Sequence, residues 1–308
     1  MTQKKVLVLG AGASLAMGYP IGNDLRNYII TSDTDFHNSG ENIYNLFSFK
    51  ENEREFFLEF RKSQMSSIDA FLARRPEFSE IGKKVIAAVL LSREVPNYLH
   101  TNMHEDNWCF HFFNKIAANS WDDLNFSKYS VLTFNYDRSL EHYLLSAVCS
   151  SYGKTEKAAS EKLSTLKILH IYGSVGSTLP NQEEYYPYSP TITPQRIEAA
   201  AKCLRVIPEG RNDDPSIEEA KIILEEASQV CFLGFGFDET NINRLAPERT
   251  LQKTQIIATC YGMTTAEARR AAYNLKIPDY LPRKNSDFPK GFMHANCITI
   301  LRETLFLD

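Results

Sequence analysis

The 308 residues contain no C-x-x-C pair, no long apolar run, no basic block, no internal repeat and no low-complexity tract. The six cysteines, Cys109, Cys149, Cys203, Cys231, Cys260 and Cys297, stand singly. That spacing excludes a paired-cysteine zinc module and argues against a disulfide scaffold, so reduced thiols in a cytoplasmic protein are expected. No segment approaches the ~18 apolar residues of a membrane span, so no membrane association is expected. Thirty-four Lys and Arg against thirty-eight Asp and Glu give a net charge of −4 with no block to follow a phosphate backbone. Direct nucleic-acid binding is therefore not expected. At 43% hydrophobic and 12% aromatic, the chain has enough apolar material for a core without covalent staples.

Residues 6–9 form a short apolar run that flows into Gly10-Ala11-Gly12-Ala13-Ser14, followed by Gly18-Tyr19-Pro20. A strand emptying into a glycine loop at a helix start lets the backbone approach a ligand, and the helix N–H groups favour a pyrophosphate. The spacing is not G-x-G-x-x-G, because position 15 is Leu. The rival explanation is a glycine turn that packs a helix on a strand. Lys4-Lys5 before the apolar run also resembles a signal peptide, a reading set aside because cleavage would delete the loop.

Further β-rich runs at 129–133, 167–171, 230–235 and 255–260 each lead into turn residues, with helical patterns between most of them. Asp214-Pro215 and the capping box Thr264-Thr265-Ala266-Glu267 mark two helix starts. Repeated strand and helix predict an α/β fold, a Rossmann-like parallel sheet with helices on both faces, as a single domain over 1–308. Residues 36–125 read as a helical insertion whose aromatics, Phe56, Phe57, Phe60 and Phe71 among them, are core, not a base-stacking platform. Residues 178–194, rich in Pro, Tyr, Ser and Thr, read as a loop beside the pocket and a lid.

Four further strand ends carry candidate chemistry. Thr133-Phe134-Asn135-Tyr136-Asp137 puts Asn135 and Asp137 at the sheet's carboxyl edge, where an Asn can orient a ribose or a water; helix capping is the alternative for both. In Lys167-Ile168-Leu169-His170-Ile171-Tyr172-Gly173-Ser174, alternation sends His170 and Tyr172 to one face, and the His suits proton transfer near neutral pH or a structural hydrogen bond. Gly234, Gly236, Asp238 and Asn241 follow a fourth strand, where a glycine bend for tight packing is the alternative, and Cys260-Tyr261-Gly262 could flank an adenine.

Together these segments resemble the sirtuins. Residues 10–14 with 18–20 look like the sirtuin nucleotide loop, 133–137 like the T-x-N-x-D motif, and 170–174 fall where the His-Gly segment would be. Ser67-Ile68-Asp69-Ala70-Phe71-Leu72 followed by Gly82-Lys83-Lys84-Val85-Ile86-Ala87 is similar to sirtuin-like effectors of bacterial antiphage defence. The resemblance implies an NAD glycohydrolase that cleaves NAD, as substrate, to nicotinamide and ADP-ribose, and that halts an infected cell by depleting NAD. It implies Asn135, His170, Tyr172 and Asp137 as the catalytic set, with His170 or its neighbour as general base. The set expected to contact NAD is Gly10, Ala11, Gly12, Ser14, Pro20, Thr133, Gly173, Ser174, Gly234, Gly236, Asp238 and Asn241. Restraint by a partner or by assembly follows from toxicity, and the family's partners are HerA-type ATPases, short Argonautes and nucleotide-sensing proteins; a homo-oligomer is expected.

Two departures stand out. The zinc ligands of deacetylating sirtuins are absent, which favours hydrolysis without zinc, and Tyr172 occupies the position before Gly173 where the family's His usually stands. An alternative reading is therefore a catalytically weak NAD- or ADP-ribose-binding regulatory subunit. A third is a Rossmann oxidoreductase, with residues 29–33 as a second strand and Asp33 on the ribose.

Overall fold

The computed structural model describes residues 4–31, 51–101, 107–180, 182–206, 214–252, 254–278 and 287–308. Six strands, β1 (Lys4–Leu9), β2 (Tyr129–Thr133), β3 (Lys167–His170), β4 (Ala227–Leu233), β5 (Gln255–Thr259) and β6 (Phe292–Met293), form one parallel sheet in the order β3-β2-β1-β4-β5-β6. The chain steps outward from β1 to β3, then returns to lay β4 on the other side of β1. Alternation along the strands fills two cores. Leu7 and Leu9 of β1, Cys231 and Leu233 of β4 and Ile257 of β5 face one core, while Val6, Val8, Val230, Phe232 and Ala258 face the other. A parallel sheet apolar on both sides needs helices on both sides, and the result is the Rossmann-like α/β fold that the strand and helix patterns predict.

Between β1 and β2 run α1 (Ala11–Ser14), α2 (Gly22–Thr31), α3 (Glu51–Lys62), α4 (Ile68–Leu72), α5 (Ser79–Ser92), α6 (Pro96–Thr101) and α7 (Trp108–Ile116). Then α8 (Ser139–Tyr152) and α9 (Glu156–Leu163) lead to β3, and α10 (Pro194–Cys203) and α11 (Pro215–Glu225) to β4. Finally α12 (Glu239–Arg244) and α13 (Pro247–Thr250) precede β5, α14 (Thr265–Asn274) precedes β6, and α15 (Cys297–Glu303) follows it. Asp214 caps α11 through the Ser216 N–H, and Thr264 with Glu267 completes the capping box of α14. Phe56, Phe60, Phe71 and Phe78 form a ring cluster, Phe60 and Phe71 lying 5.1 Å apart, inside the core that the helical region shares with the sheet.

Two expectations fail here. Residues 29–31 end α2 and are not a strand, because Leu25 and Ile29 recur at helical spacing and both are buried; Asp33 lies outside the described residues. Where a lid was expected, the described residues of 178–194 are pinned. The Arg138 Nε and Nη2 donate to the Glu94 carboxylate at 2.7 and 2.9 Å, and Arg196 Nη2 donates to it at 2.5 Å, all three side chains being buried. The same guanidinium groups donate to the carbonyls of Ser177, Tyr186, Pro187, Ser189 and Thr191. Tyr188, buried within the segment, stacks on His142 at 4.2 Å and shares a 2.7 Å hydrogen bond with Tyr19.

Candidate functional site

The strand order reverses between β1 and β4, and a cavity of about 670 Å³ opens at their carboxyl ends. Ala11 and Gly12 after β1, Gly234 and Gly236 after β4, and Cys260 and Tyr261 after β5 line it. This is where the fold class places ligands, and the volume is ordinary for a small-molecule site. The glycine loop interlocks with the β4 loop: Gly10 N–H donates to the Leu233 carbonyl and Gly12 N–H to the Gly234 carbonyl, at 3.1 and 3.0 Å. A Cβ on Gly10 would lie 2.6 Å from the Gly234 oxygen. One on Gly234, whose φ is +57°, would lie 2.1 Å from the Ala13 nitrogen. Packing of chain on chain therefore explains these glycines. The N–H groups of Gly12 and Ala13 bond within the loops instead of facing a pyrophosphate. Gly236 differs, since a Cβ there would meet open space.

The opposite wall comes from the helical region, which the sequence reading left out of the site. Tyr98 of α6 and Trp108 of α7 line the cavity, and the Trp108 indole N–H donates to the Ala13 carbonyl at 2.8 Å. Asn296 and Cys297 at the start of α15 complete the lining near β5. Tyr261 is 72% exposed at the mouth. Tyr98, Trp108, Asn296 and Cys297 lie far in sequence from the glycine loop, so no local pattern marks them, whereas Tyr261 belongs to the β5 end that the sequence had singled out.

Asn135 ties the β2 end to the glycine loop. Its Nδ2 donates to the Gly10 carbonyl at 2.9 Å and to Ser14 Oγ at 3.0 Å. A carbonyl can only accept, so the amide must present its NH₂ there, leaving Oδ1 without a partner among the described residues. Ser14 Oγ donates in turn to Asp137 Oδ2 at 2.7 Å, and Asp137 Oδ1 accepts from the Ser139 N–H and hydroxyl at the start of α8. Asp137 is thus the helix-start brace that capping would make it. Burial raises its pKa, against the hydrogen bonds from Ser139 and Ser14. Thr133 Oγ1 accepts the Asn135 N–H at 3.0 Å.

His170 closes this network from below. Its Nδ1 lies 2.8 Å from the Asn135 carbonyl and its Nε2 lies 2.6 Å from Glu141 Oε1. The Asn135 carbonyl can only accept, so Nδ1 carries hydrogen, and with Glu141 as a carboxylate Nε2 donates as well. Burial alone would lower its pKa, but the Glu141 carboxylate, the Asn135 carbonyl and Asp137 together hold it above the ordinary histidine value. A ring with both nitrogens so engaged has none free to take up a proton, which argues against a general-base role for His170 in this arrangement. Ser14, Asn135, Asp137, Glu141 and His170 surround a water-sized void of about 10 Å³, and Glu141 and His170 also line a larger cavity over β3.

Tyr172 does not share the His170 face. β3 ends at His170, so strand alternation stops, and the Tyr172 hydroxyl donates to Asn241 Oδ1 at 2.5 Å and accepts from Arg244 within the other core. Asn241 is therefore a partner of Tyr172, and Asp238 caps α12 through the Thr240 and Asn241 N–H groups. Gly173 packs its backbone against the Cys203 carbonyl, and Ser174 lines a separate cavity on β3. Pro20 follows the buried Tyr19 and precedes Ile21, which lines the large cavity, but is not itself part of the lining.

Ala11, Gly12, Gly234 and Gly236 thus gather at the cavity. Gly10, Ser14, Thr133, Asn135, Asp137 and His170 form one network beside it, while Tyr172, Gly173, Ser174, Asp238 and Asn241 lie elsewhere. Among the described residues no group of three or more His, Cys, Asp or Glu side chains could hold a metal ion. No helix among them is long and apolar enough to cross a membrane. No protein-family model matches the chain, and no curated protein matches it.

Proposed function

We propose that this chain binds NAD in the crevice at the β1/β4 reversal and hydrolyses its nicotinamide–ribose bond. The observation that carries this reading is the pair of hydrogen bonds from the Asn135 amide to Gly10 and Ser14, which ties that amide to the glycine loop whose next residues, Ala11 and Gly12, line the crevice. In the reaction the C–N bond breaks with its electrons leaving on neutral nicotinamide. Water then adds to the ribose carbon and gives up a proton to solvent, yielding ADP-ribose. The leaving group departs from a cationic state, so positioning and charge stabilisation do most of the work and a strong base is not required. Asn135 Oδ1 orients a ribose hydroxyl or the water, Asp137 holds Ser14 and supplies nearby negative charge, and His170 fixes the Asn135 main chain. The resemblance extends the proposal to a cytoplasmic, partner-activated or assembly-activated effector of antiphage defence. Incubating the protein with NAD, alone and with candidate activators, and measuring nicotinamide release tests it; NAD left intact in every state removes it.

A second reading, an NAD- or ADP-ribose-binding regulatory subunit, draws on one observation. His170 has both ring nitrogens engaged and Tyr172 is turned to Asn241, so neither is a free base. A chain that gains thermal stability from NAD while leaving it uncut supports this second reading.

A further inference from the structure

The open surface of the crevice at the β1/β4 reversal is mainly apolar. Three large apolar side chains that the fold leaves exposed converge on it, Leu15 at 52%, Tyr98 at 40% and Tyr261 at 72%. Both tyrosines are set by neighbours. The Tyr98 ring lies against Gly18, where a Cβ would come within 2.9 Å of it, and the Tyr261 ring lies 5.7 Å from His294, itself 5.6 Å from Phe288. Among the described residues no Lys, Arg, His, Asp or Glu lines the crevice. The glycine loop offers no substitute for a cation, because the Gly12 N–H donates to the Gly234 carbonyl and the Ala13 N–H to the Gly10 carbonyl, and α1 has only four residues. A phosphate drawn inside would lose water without gaining a charged partner, whereas a planar ring gains contact with the tyrosine faces and Leu15. The nicotinamide of NAD is cationic and its adenine is neutral. A mainly apolar surface therefore suits the adenine end.

We propose that the crevice recognises the uncharged adenosine end of its ligand by stacking and apolar contact, and leaves the diphosphate at the mouth in water, so that phosphate adds nothing to affinity. This deepens the NAD reading of the same crevice and rests on it for the identity of the ligand. Calorimetry on the full chain with adenosine, AMP and ADP-ribose tests it, since none of the three can lose nicotinamide. Adenosine should bind, and the two phosphate-bearing compounds should match it within about threefold. All three affinities should hold when NaCl is raised from about 50 to about 500 mM, because screening weakens only charged contacts. Tyr261→Ala, at an exposed position that the core does not need, should weaken adenosine about tenfold, and Tyr261→Phe, which keeps the ring, should not. The proposal is overturned by ADP-ribose binding more than about tenfold tighter than adenosine and weakening with salt, by an unchanged adenosine affinity in Tyr261→Ala, or by no binding of any of the three. Nicotinamide release from NAD, followed in parallel, separates the two failures. A chain that cleaves NAD but does not bind adenosine strikes this proposal alone, and one that binds adenosine but leaves NAD intact in every state strikes the hydrolysis reading alone.

Discussion

Asn135 and His170 are held by partners of opposite kinds, and that difference sets what each replacement should do. Asn135→Ala removes two donated hydrogen bonds, so stability should fall by about 1–3 kcal/mol. If the NAD-cleavage reading holds, nicotinamide release should fall about a hundredfold or more, because the orienting oxygen is lost. Equal turnover in a folded Asn135→Ala protein would contradict that role. His170 gains its partner Glu141 on folding, and its folded pKa lies above the unfolded value near ~6.5. The stability it contributes is complete below that unfolded value and is lost as pH rises through the folded one. Urea midpoints should therefore decline as pH climbs above neutrality, and Glu141→Gln should flatten that decline. An unchanged slope in the variant would mean the pair is not the source.

The interlocked loops and the pinned segment belong to the scale of elements. Gly234→Ala forces a Cβ against the Ala13 nitrogen at positive φ and should cost about 2 kcal/mol or more, whereas Gly236→Ala meets open space and should be nearly neutral. Thermal melts of the two variants should separate clearly. Glu94→Ala leaves two buried arginines facing each other and should cost about 3–5 kcal/mol, with protease cleavage appearing in 178–194. Cleavage rates equal to wild type would show that the segment is held by something else. Five of the six strands were legible because each is a β-rich run ending in turn residues. β6 was not, since its two residues carry no period. The pinning of 178–194 was hidden because Glu94, Arg138 and Arg196 meet only through tertiary folding, up to 102 residues apart. The misplacement of Tyr172 has a local cause: alternation was extended two residues past the end of β3.

For the whole molecule, the reversal between β1 and β4 concentrates the loops of three strands and two helices of the insertion on one crevice. NAD at a hundred times its dissociation constant should stabilise the fold by about 2.7 kcal/mol, read as a rise in Tm. Gly236→Trp should abolish the rise by filling the crevice without disturbing the glycine interlock. A wild-type melt indifferent to NAD and ADP-ribose alike would remove both functional readings. Of the motif residues that sequence pointed to, Ala11, Gly12, Gly234 and Gly236 meet at the crevice and Gly10, Ser14, Thr133, Asn135, Asp137 and His170 in the network beside it, while Tyr172, Gly173, Ser174, Asp238 and Asn241 lie elsewhere, a division set by packing and not by spacing. Arg138 and Arg196 grip 177–191 only by its carbonyls, atoms that every amino acid supplies alike. The outward side chains of that stretch can therefore diverge from one homologue to the next while its course stays constant, giving the surface a changeable display mounted on an invariant frame.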